Sequence, residues 1–121
     1  MATVISGLNG VSKIEDGAIT AEDFEAALFE ASKTANGYSY LPNGLIVQWG
    51  ITASIAANTN TTVNFPITFP NACLRVVPTA ENNADPVVVG VMVKTFTASN
   101  VTLRNADNDN VYPIAYIAIG H

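Results

Sequence analysis

The sequence predicts a mainly β protein: an antiparallel β-sandwich or barrel-like knob, preceded by a short N-terminal α-helix. After residue 44, short apolar or alternating runs are separated by turn-rich segments, as is typical of antiparallel strands. Before residue 37, one segment has apolar residues at helical spacing. The composition is 49% hydrophobic and only 12% charged, which is apolar for a chain of 121 residues. We therefore expect part of the surface to be buried against other copies of the chain.

The composition also excludes several classes of function. Ten acidic and five basic side chains give a net charge of −5, so nothing predicts a surface for nucleic acid. The longest apolar runs, such as residues 87–93, are far shorter than the roughly 20 residues of a membrane-spanning helix. Cys73 is the only cysteine, which excludes an internal disulfide, and the first residues lack a secretory pattern. These features favour assembly in a reducing cytoplasm, without insertion into a membrane.

Residues 1–19 contain three glycines and no sustained apolar period. We interpret them as an extended leader, and residues 14–20 resemble the linking segments of fibre shafts. An ordinary flexible N-terminus is the alternative.

Residues 20–36 carry the helical pattern. Thr20 can cap the helix, and Gly37 follows its end. Because a helix of this length is marginally stable alone, it must pack on something. Either it lies on its own subunit's sheet, or copies of the chain meet along its apolar seam. The seam repeats at alternating spacings of three and four and consists of Ala21, Phe24, Leu28, Ala31 and Ala35.

A turn at residues 41–44 separates this segment from the β region. Pro42 presets one backbone angle, and Asn43 and Gly44 tolerate positive φ, so a tight turn should lead into a strand. That strand carries the only tryptophan, Trp49, and we expect it near the middle of the core. The seven predicted strands cover residues 45–49, 51–56, 61–65, 73–79, 87–96, 100–104 and 112–119. The last is apolar almost to residue 121, so we expect it to be tied into a sheet or a subunit contact.

Three blocks of the β region carry a family resemblance: Tyr-Leu-Pro-Asn-Gly-Leu-Ile-Val-Gln-Trp-Gly at residues 40–50, Phe-Pro-Ile-Thr-Phe-Pro-Asn-Ala-Cys at 65–73, and Tyr-Ile-Ala-Ile-Gly-His at 116–121. In this order they resemble the C-terminal domain of bacteriophage tail fibres, the group called gp53-like. The resemblance implies a homotrimer at the distal end of a virion tail fibre, which holds a host-cell surface structure. Residues 20–36 would then be a helical trimerisation neck, with Phe24, Leu28 and Ala31 at the trimer interface, and residues 37–121 the β-rich tip domain.

Residues with catalytic or metal-binding chemistry form no convincing set. Cys73 lies in an apolar pattern that is typical of a buried, inert thiol. Residues 107–118 resemble a calcium loop, but Tyr112 replaces its glycine and Ala118 its glutamate. His121 is the only histidine, and three copies around an axis could hold one ion. We predict no enzyme activity, no metal and no cofactor.

Polar loops are the better candidates for function. Asn, Asp, Thr and Ser side chains on a stiff β scaffold suit hydrogen bonding to sugar hydroxyl groups, and cations suit anionic groups. The predicted receptor is a bacterial surface glycan or outer-membrane protein. Other tail or fibre proteins are expected to bind through the N-terminal region. The predicted receptor contacts are Asn82, Asn83, Asp85, Lys94, Arg104, Asn105, Asp107, Asn108, Asp109 and Tyr112.

Two other functions stay open. The chain could be a trimeric connector or cap of a fibre that contacts no receptor. It could also be a glycan depolymerase, which needs two carboxylates about 5 to 10 Å apart in a cleft. Glu81, Asp85, Asp107 and Asp109 would supply such a pair only if their loops meet.

Overall fold

The computed structural model of the chain describes residues 29–81 and 90–121. Ala31–His121 form one compact unit. The predictions that lie outside the described residues are the leader at 1–19, the helix up to residue 28 with Phe24 and Leu28, and the contacts Asn82, Asn83 and Asp85.

The described residues form two antiparallel sheets, which confirms the predicted mainly β architecture. The first sheet has five strands in the order β1-β2-β3-β8-β5, and the second has three in the order β4-β7-β6. In chain order the strands are β1 (Ala31–Ser32), β2 (Gly37–Tyr40), β3 (Ile46–Ile51), β4 (Thr59–Asn64), β5 (Cys73–Ala80), β6 (Val91–Phe96), β7 (Asn100–Asn105) and β8 (Ile114–Gly120).

The core lies between the inner faces of the two sheets. Phe65 packs edge-on against Phe69, with ring centroids 5.2 Å apart, and its ring lies 5.9 Å from that of Tyr116. These aromatic contacts join the loops after β4 to the middle of β8. The buried hydrophobic cluster consists of Ile46, Ile55, Phe65, Phe69, Val101, Leu103, Tyr112, Ile114, Tyr116 and Ala118.

The predicted helix does not reach residue 36. Ala31–Ser32 form β1, which pairs with β2, so Ala31 cannot belong to a helical trimer seam. The connection to β2 is fixed by a tertiary bond, because the side-chain oxygen of Asn36 accepts the backbone N–H of Ile51 at 2.8 Å. Such bonds to a neighbouring strand outweigh the small differences in local helix propensity.

The turn before β3 forms as predicted. Pro42–Gly44 make one 3-10 turn, with φ of 73° at Asn43 and 81° at Gly44. The N–H of Leu41 donates to the carbonyl of Leu45 at 2.8 Å, which closes the loop. This turn makes β2 and β3 antiparallel neighbours.

The prediction that Trp49 lies in the middle of the core is wrong. The inward positions of β3 are Ile46, Gln48 and Gly50, and Trp49 is half-buried on the outer face. Its indole N–H donates to the carbonyl of Thr34 at 2.8 Å. Because side chains alternate along a strand, the polar Gln48 and the apolar Trp49 must take opposite faces.

Residues 51–56, predicted as one strand, are mostly irregular. Only Ile51 ends β3, and Ile55 makes an isolated bridge to Tyr112. Between them, the N–H of Thr52 donates to the carbonyl of Ile114 at 2.9 Å, and its hydroxyl accepts the N–H of Ile114 at 3.0 Å. A side chain thus replaces one bond of the expected strand ladder.

The end of the chain is tied into the first sheet, as predicted. β8 pairs with β3 on one side and β5 on the other. The carbonyl of His121 accepts the N–H groups of Asn71 and Ala72 at 2.7 and 2.8 Å. Its own N–H donates to the carbonyl of Ala72 at 2.9 Å, so both backbone groups of His121 are bonded to the segment before β5.

Gln48 is a fully buried polar residue that joins β3 to the loop before β5. Its side-chain N–H donates to the carbonyl of Ile67 at 2.9 Å, and its side-chain oxygen accepts the N–H of Ile67 at 2.9 Å. Both polar groups of the amide are therefore satisfied, which is what makes its burial stable.

Replacing Gln48 with Leu should lower the free energy of unfolding by about 1–3 kcal/mol, because both backbone groups of Ile67 lose their partner. Urea denaturation at matched protein concentration measures this difference. Thr68→Leu, at a neighbouring exposed position, is the control and should stay within about 0.5 kcal/mol of the wild type. Equal midpoints for Gln48→Leu and wild type would contradict the role of this amide.

Candidate binding surfaces

The outer face of the second sheet is polar and carries no acidic side chain. β4, β6 and β7 contain one lysine, one arginine and no Asp or Glu. Their register places amide, hydroxyl and cationic groups side by side across the sheet. One row is Asn60, Arg104 and Met92, and the next is Thr62, Thr102 and Thr95.

Arg104 is held at this face by neutral acceptors. One terminal nitrogen, Nη1, donates to the carbonyl of Asn58 at 3.3 Å and to Asn60 Oδ1 at 3.0 Å. The other, Nη2, donates to Asn58 Oδ1 at 3.2 Å. Asn58 has a φ of 53° and also donates to Asn108 Oδ1 at 2.8 Å. The guanidinium, the start of β4 and the 107–110 loop thus form one polar cluster.

Two of the predicted receptor contacts are interior groups that shape this loop. Asn105 is fully buried, and its amide donates to the carbonyls of Ile55 and Asn110 at 2.9 and 2.8 Å. The N–H of Asp107 donates to Asn105 Oδ1 at 2.9 Å. Asp107 is itself buried, so the prediction of these two side chains as receptor contacts is corrected: both are used within the fold.

Tyr112 is likewise a core residue and not a surface contact. Its ring is buried, and its hydroxyl donates to the carbonyl of Gly90 at 3.1 Å. Burial raises the pKa of this hydroxyl above its ordinary value. The sequence predicts Tyr112 both as the first residue of a strand and as a receptor contact. Its bridge to Ile55 agrees with the strand, and its burial excludes the surface contact.

The remaining predicted contacts within the described residues stay accessible. Lys94, Asn108 and Asp109 are exposed, and Arg104 is half-buried. Sequence reasoning missed the strand residues around Arg104, such as Thr62 and Thr102, whose hydroxyls lie 2.7 Å apart. The alternating pattern of residues 61–65, which predicts one solvated face, was the signal that could have found them.

Asp107 stabilises the loop through its carboxylate. Its Oδ1 accepts the N–H groups of Asp109 and Asn110 at 2.8 and 3.1 Å, and Oδ2 accepts the Asn110 side-chain amide at 3.1 Å. The bond from the Asp109 N–H is the leading cause that lowers the pKa of Asp107 below its ordinary value. The ionised form is therefore the one that the folded loop prefers.

Replacing Asp107 with Asn should destabilise the fold at neutral pH and have little effect in strong acid. A lowered folded-state pKa contributes stability above the unfolded value, about 3.9, and this contribution is lost as the pH falls through the folded pKa. Urea midpoints of both proteins at neutral and strongly acidic pH measure the effect. In the control Asp109→Asn the structure shows no hydrogen bond from a described residue to the carboxylate, so we expect only a small change in the urea midpoint. A deficit of Asp107→Asn that persists in acid would contradict this account.

The outer face of the first sheet carries a row of exposed apolar side chains, with Arg75 near the start of β5 as the charged strand residue of this sheet. Trp49, Ile117 and Val77 stand opposite one another in one row across β3, β8 and β5. Ile117 is 57% exposed and Val77 65% exposed. The neighbouring row contains Ile51 opposite Ala115. Isolated exposed apolar residues are normal, but a contiguous row across a sheet is typical of a contact surface.

This apolar face contains a depression of about 560 Å³. Its lining includes Trp49, Ile51, Val77 and Ile117, with Glu81 as the only charged lining residue. An apolar depression with a single charged side chain offers few directed hydrogen bonds, so it suits packing better than recognition of a polar ligand. Sequence reasoning missed this face because it expected Trp49 in the core.

Among the described residues, no three of His, Cys, Asp and Glu lie close enough to hold a metal ion. Cys73 is half-buried, and its burial raises the pKa of the thiol, which disfavours the nucleophilic thiolate. Within the same residues, no helix has the length and hydropathy needed to span a membrane.

The fold defines a β-sandwich module in which one sheet has a polar outer face and the other a largely apolar outer face. Residues 40–121 match the family model described as tail fiber protein gp53-like, C-terminal. This match covers more than half of the chain, so the chain belongs to the gp53-like tail fibre family. The resemblance seen in the sequence is confirmed.

Two curated relatives are similar in sequence. The chain is 33% identical over 84 residues to an uncharacterized protein StfP of Escherichia coli (strain K12), covering 67% of this chain and 40% of that protein. It is 39% identical over 66 residues to an uncharacterized protein of Methanocaldococcus jannaschii, covering 50% and 42%. The chain therefore spans less than half the length of these relatives.

The solved structures it resembles are pyocin tail fibres. The R2 pyocin fibre of P. aeruginosa has a TM-score of 0.69 at 23% identity, covering 86% of this chain and 30% of that chain. The R1 pyocin fibre of P. aeruginosa has a TM-score of 0.65 at 29% identity, covering 87% and 32%. The match to an N-truncated R1-type pyocin tail fibre covers 99% of that chain. The chain is thus a tail fibre C-terminal domain of the phage or pyocin type, and a component of such a particle.

Proposed function

We propose that this domain is a fibre tip that binds a bacterial surface glycan or outer-membrane protein during host attachment. The observation that carries the proposal is the polar outer face of β4, β7 and β6, which presents hydroxyl, amide and cationic groups without an acidic side chain. Membership in a tail fibre family supports it, because a fibre tip is where a particle meets its host.

The chemistry of this face suits a glycan. Sugar hydroxyls are donors and acceptors, and they are matched by amides such as Asn64 and hydroxyls such as Thr62 and Thr102. These side chains lie on strands, which hold them more rigidly than a loop would. Several weak sites on one fibre, and several fibres on one particle, would raise the avidity well above that of a single site.

An excess of the purified chain should block adsorption of particles that carry this fibre to cells that they normally bind. Soluble sites occupy the receptor, so adsorption should fall in a dose-dependent manner. Periodate treatment of the cells, which destroys sugar diols, and protease treatment distinguish a glycan from a protein receptor. The control is an equal amount of an unrelated protein of similar size and net charge, which should leave adsorption unchanged. If the folded chain does not compete at any dose, the proposal is wrong, and the connector or cap function becomes the better account.

The apolar outer face of β3, β8 and β5 is the proposed contact between copies in a homotrimer. Burial of Trp49, Val77 and Ile117 against a second copy would remove a contiguous apolar row from water. A second copy is the occupant we favour, because the chain is too apolar for a small monomer and because fibres are built from repeated subunits. The predicted helical contacts Phe24 and Leu28 stay a prediction. Binding of other fibre proteins through the N-terminal region, and assembly in the host cytoplasm, belong to the same proposal.

Ile117→Asp should convert the trimer to monomers, because each interface would bury an unpaired carboxylate. The matched control is Val111→Asp, since Val111 is 60% exposed but lies outside this face. Light scattering behind a sizing column should give about 38 kDa for the control, three times the 12.7 kDa chain, and 12.7 kDa for Ile117→Asp. A trimeric Ile117→Asp, or a monomeric wild type at micromolar concentration, would refute this interface.

A further inference from the structure

We propose that Arg104, together with Lys94, binds an anionic substituent, a carboxylate or a phosphate, on the surface glycan. This inference rests on the proposed receptor-binding function and adds to it the charge class of the ligand and the residues that recognise it. It is carried by the hydrogen bonding of Arg104 and by the charge distribution around it.

The hydrogen bonds of Arg104 leave part of its guanidinium free. Three of its five N–H donors are used by the carbonyl and side chain of Asn58 and by the side chain of Asn60. Nε–H and the second N–H of Nη2 have no acceptor in residues 29–81 and 90–121. All three acceptors are neutral, so no carboxylate in residues 29–81 and 90–121 accepts a hydrogen bond from Arg104.

The three hydrogen bonds to Asn58 and Asn60 also fix the position of the guanidinium. A free arginine side chain loses rotamer entropy when it binds, whereas one that is already held by three bonds loses less. A planar guanidinium matches a carboxylate or a phosphate with two parallel N–H bonds. Arg104 is therefore arranged as a preorganised donor and not as a mobile surface charge.

The surroundings of Arg104 favour an anion. Lys94 is exposed on the neighbouring strand β6, where the irregular register between Val93 and Thr95 places an additional residue. The carboxylate of Asp107 is occupied by its own loop. The carboxylate of Asp109 would instead repel an anionic ligand. It is exposed beside Asn108, which belongs to the Arg104 cluster through Asn58.

Uncharged groups on the same face supply the rest of a sugar site. The Thr62 and Thr102 hydroxyls, 2.7 Å apart, stand one row from Arg104 and can exchange hydrogen bonds with ring hydroxyls. The side chain of Met92, 44% exposed and opposite Arg104, offers an apolar contact for the C–H groups of a sugar ring. One anionic group with flanking hydroxyls is the pattern of an acidic sugar.

The test compares three probes by titration calorimetry: an oligosaccharide containing a uronic acid, a phosphorylated oligosaccharide and a neutral oligosaccharide of the same length. The affinity of the wild type for at least one acidic probe should exceed its affinity for the neutral probe tenfold or more, because one charged hydrogen bond contributes about that much. Preference for the uronic acid or the phosphate identifies the source of the anion. Added salt should weaken binding of the acidic probe and leave the neutral probe unchanged.

Four variants locate the site. Arg104→Gln should lose about tenfold or more in affinity for the acidic probe, and Lys94→Gln a smaller factor, because only Arg104 binds in a bidentate manner. Asp109→Asn should gain affinity by removing a like charge. Lys33→Gln removes an exposed cation outside the second sheet and should change nothing. If Arg104→Gln fails to fold, Lys94→Gln and the salt dependence still decide, since the structure shows no hydrogen bond from the Lys94 side chain to a described residue.

Equal affinity of the wild type for neutral and acidic probes would overturn the inference, and so would full affinity in both Arg104→Gln and Lys94→Gln. The adsorption assay separates this failure from failure of the proposed function. If the wild type and both variants block adsorption equally, the domain binds a receptor but not through this cation pair. If the wild type itself does not block adsorption, the receptor-binding function fails.

Discussion

The structure depends on the pairing of β8 with a strand on each side. Because β8 lies between β3 and β5, its backbone groups are bonded at both edges, and its side chains must alternate strictly between two faces. Ile114, Tyr116 and Ala118 fill the core, and Ile117 is consequently turned outward. The same register carries Trp49 and Val77 outward beside it. One ladder thus creates both the hydrophobic core and the apolar outer face.

The second sheet obeys the same alternation but has a different composition. Its inner face supplies Val101 and Leu103 to the core, whereas its outer face carries threonines, asparagines and two cations. The sandwich therefore has one outer face that water solvates well and one that it does not. The two proposals rest on this difference, because the apolar face is the proposed contact between copies and the polar face is the proposed contact with a receptor.

Buried polar groups connect the polar face to the core. Asn105 is fully buried at the end of β7 and holds Ile55 and the loop that contains Asp107. The next residue toward the N-terminus is Arg104, which points to the opposite side of the same strand. The side chain that shapes the loop and the side chain proposed to bind the ligand are thus adjacent, so the position of the guanidinium follows from the packing of the core.

Sequence by itself determined the local features of this protein. The turn at Pro42–Gly44, most of the strands, the burial of the chain end and the tail fibre family all follow from patterns within short segments. Long-range pairing decided the rest. Gln48 faces inward, and Trp49 outward, because the backbone groups of Ile67 form hydrogen bonds with the side-chain amide of Gln48. Tyr112 is core because it bridges Ile55.

The candidate site shows the same division. The sequence identified Arg104 and Lys94, on predicted strands, as cations that could bind an anion, but it could not separate them from Asn105 and Asp107, which are equally polar in sequence. Burial separates them, and burial depends on which strands become neighbours. Asn58 is 46 residues from Arg104 in sequence, and only the pairing of β4 with β7 places the two in contact. A pattern with a period of two residues contains no information about such partners, so the tertiary structure alone decided which polar groups are free to bind.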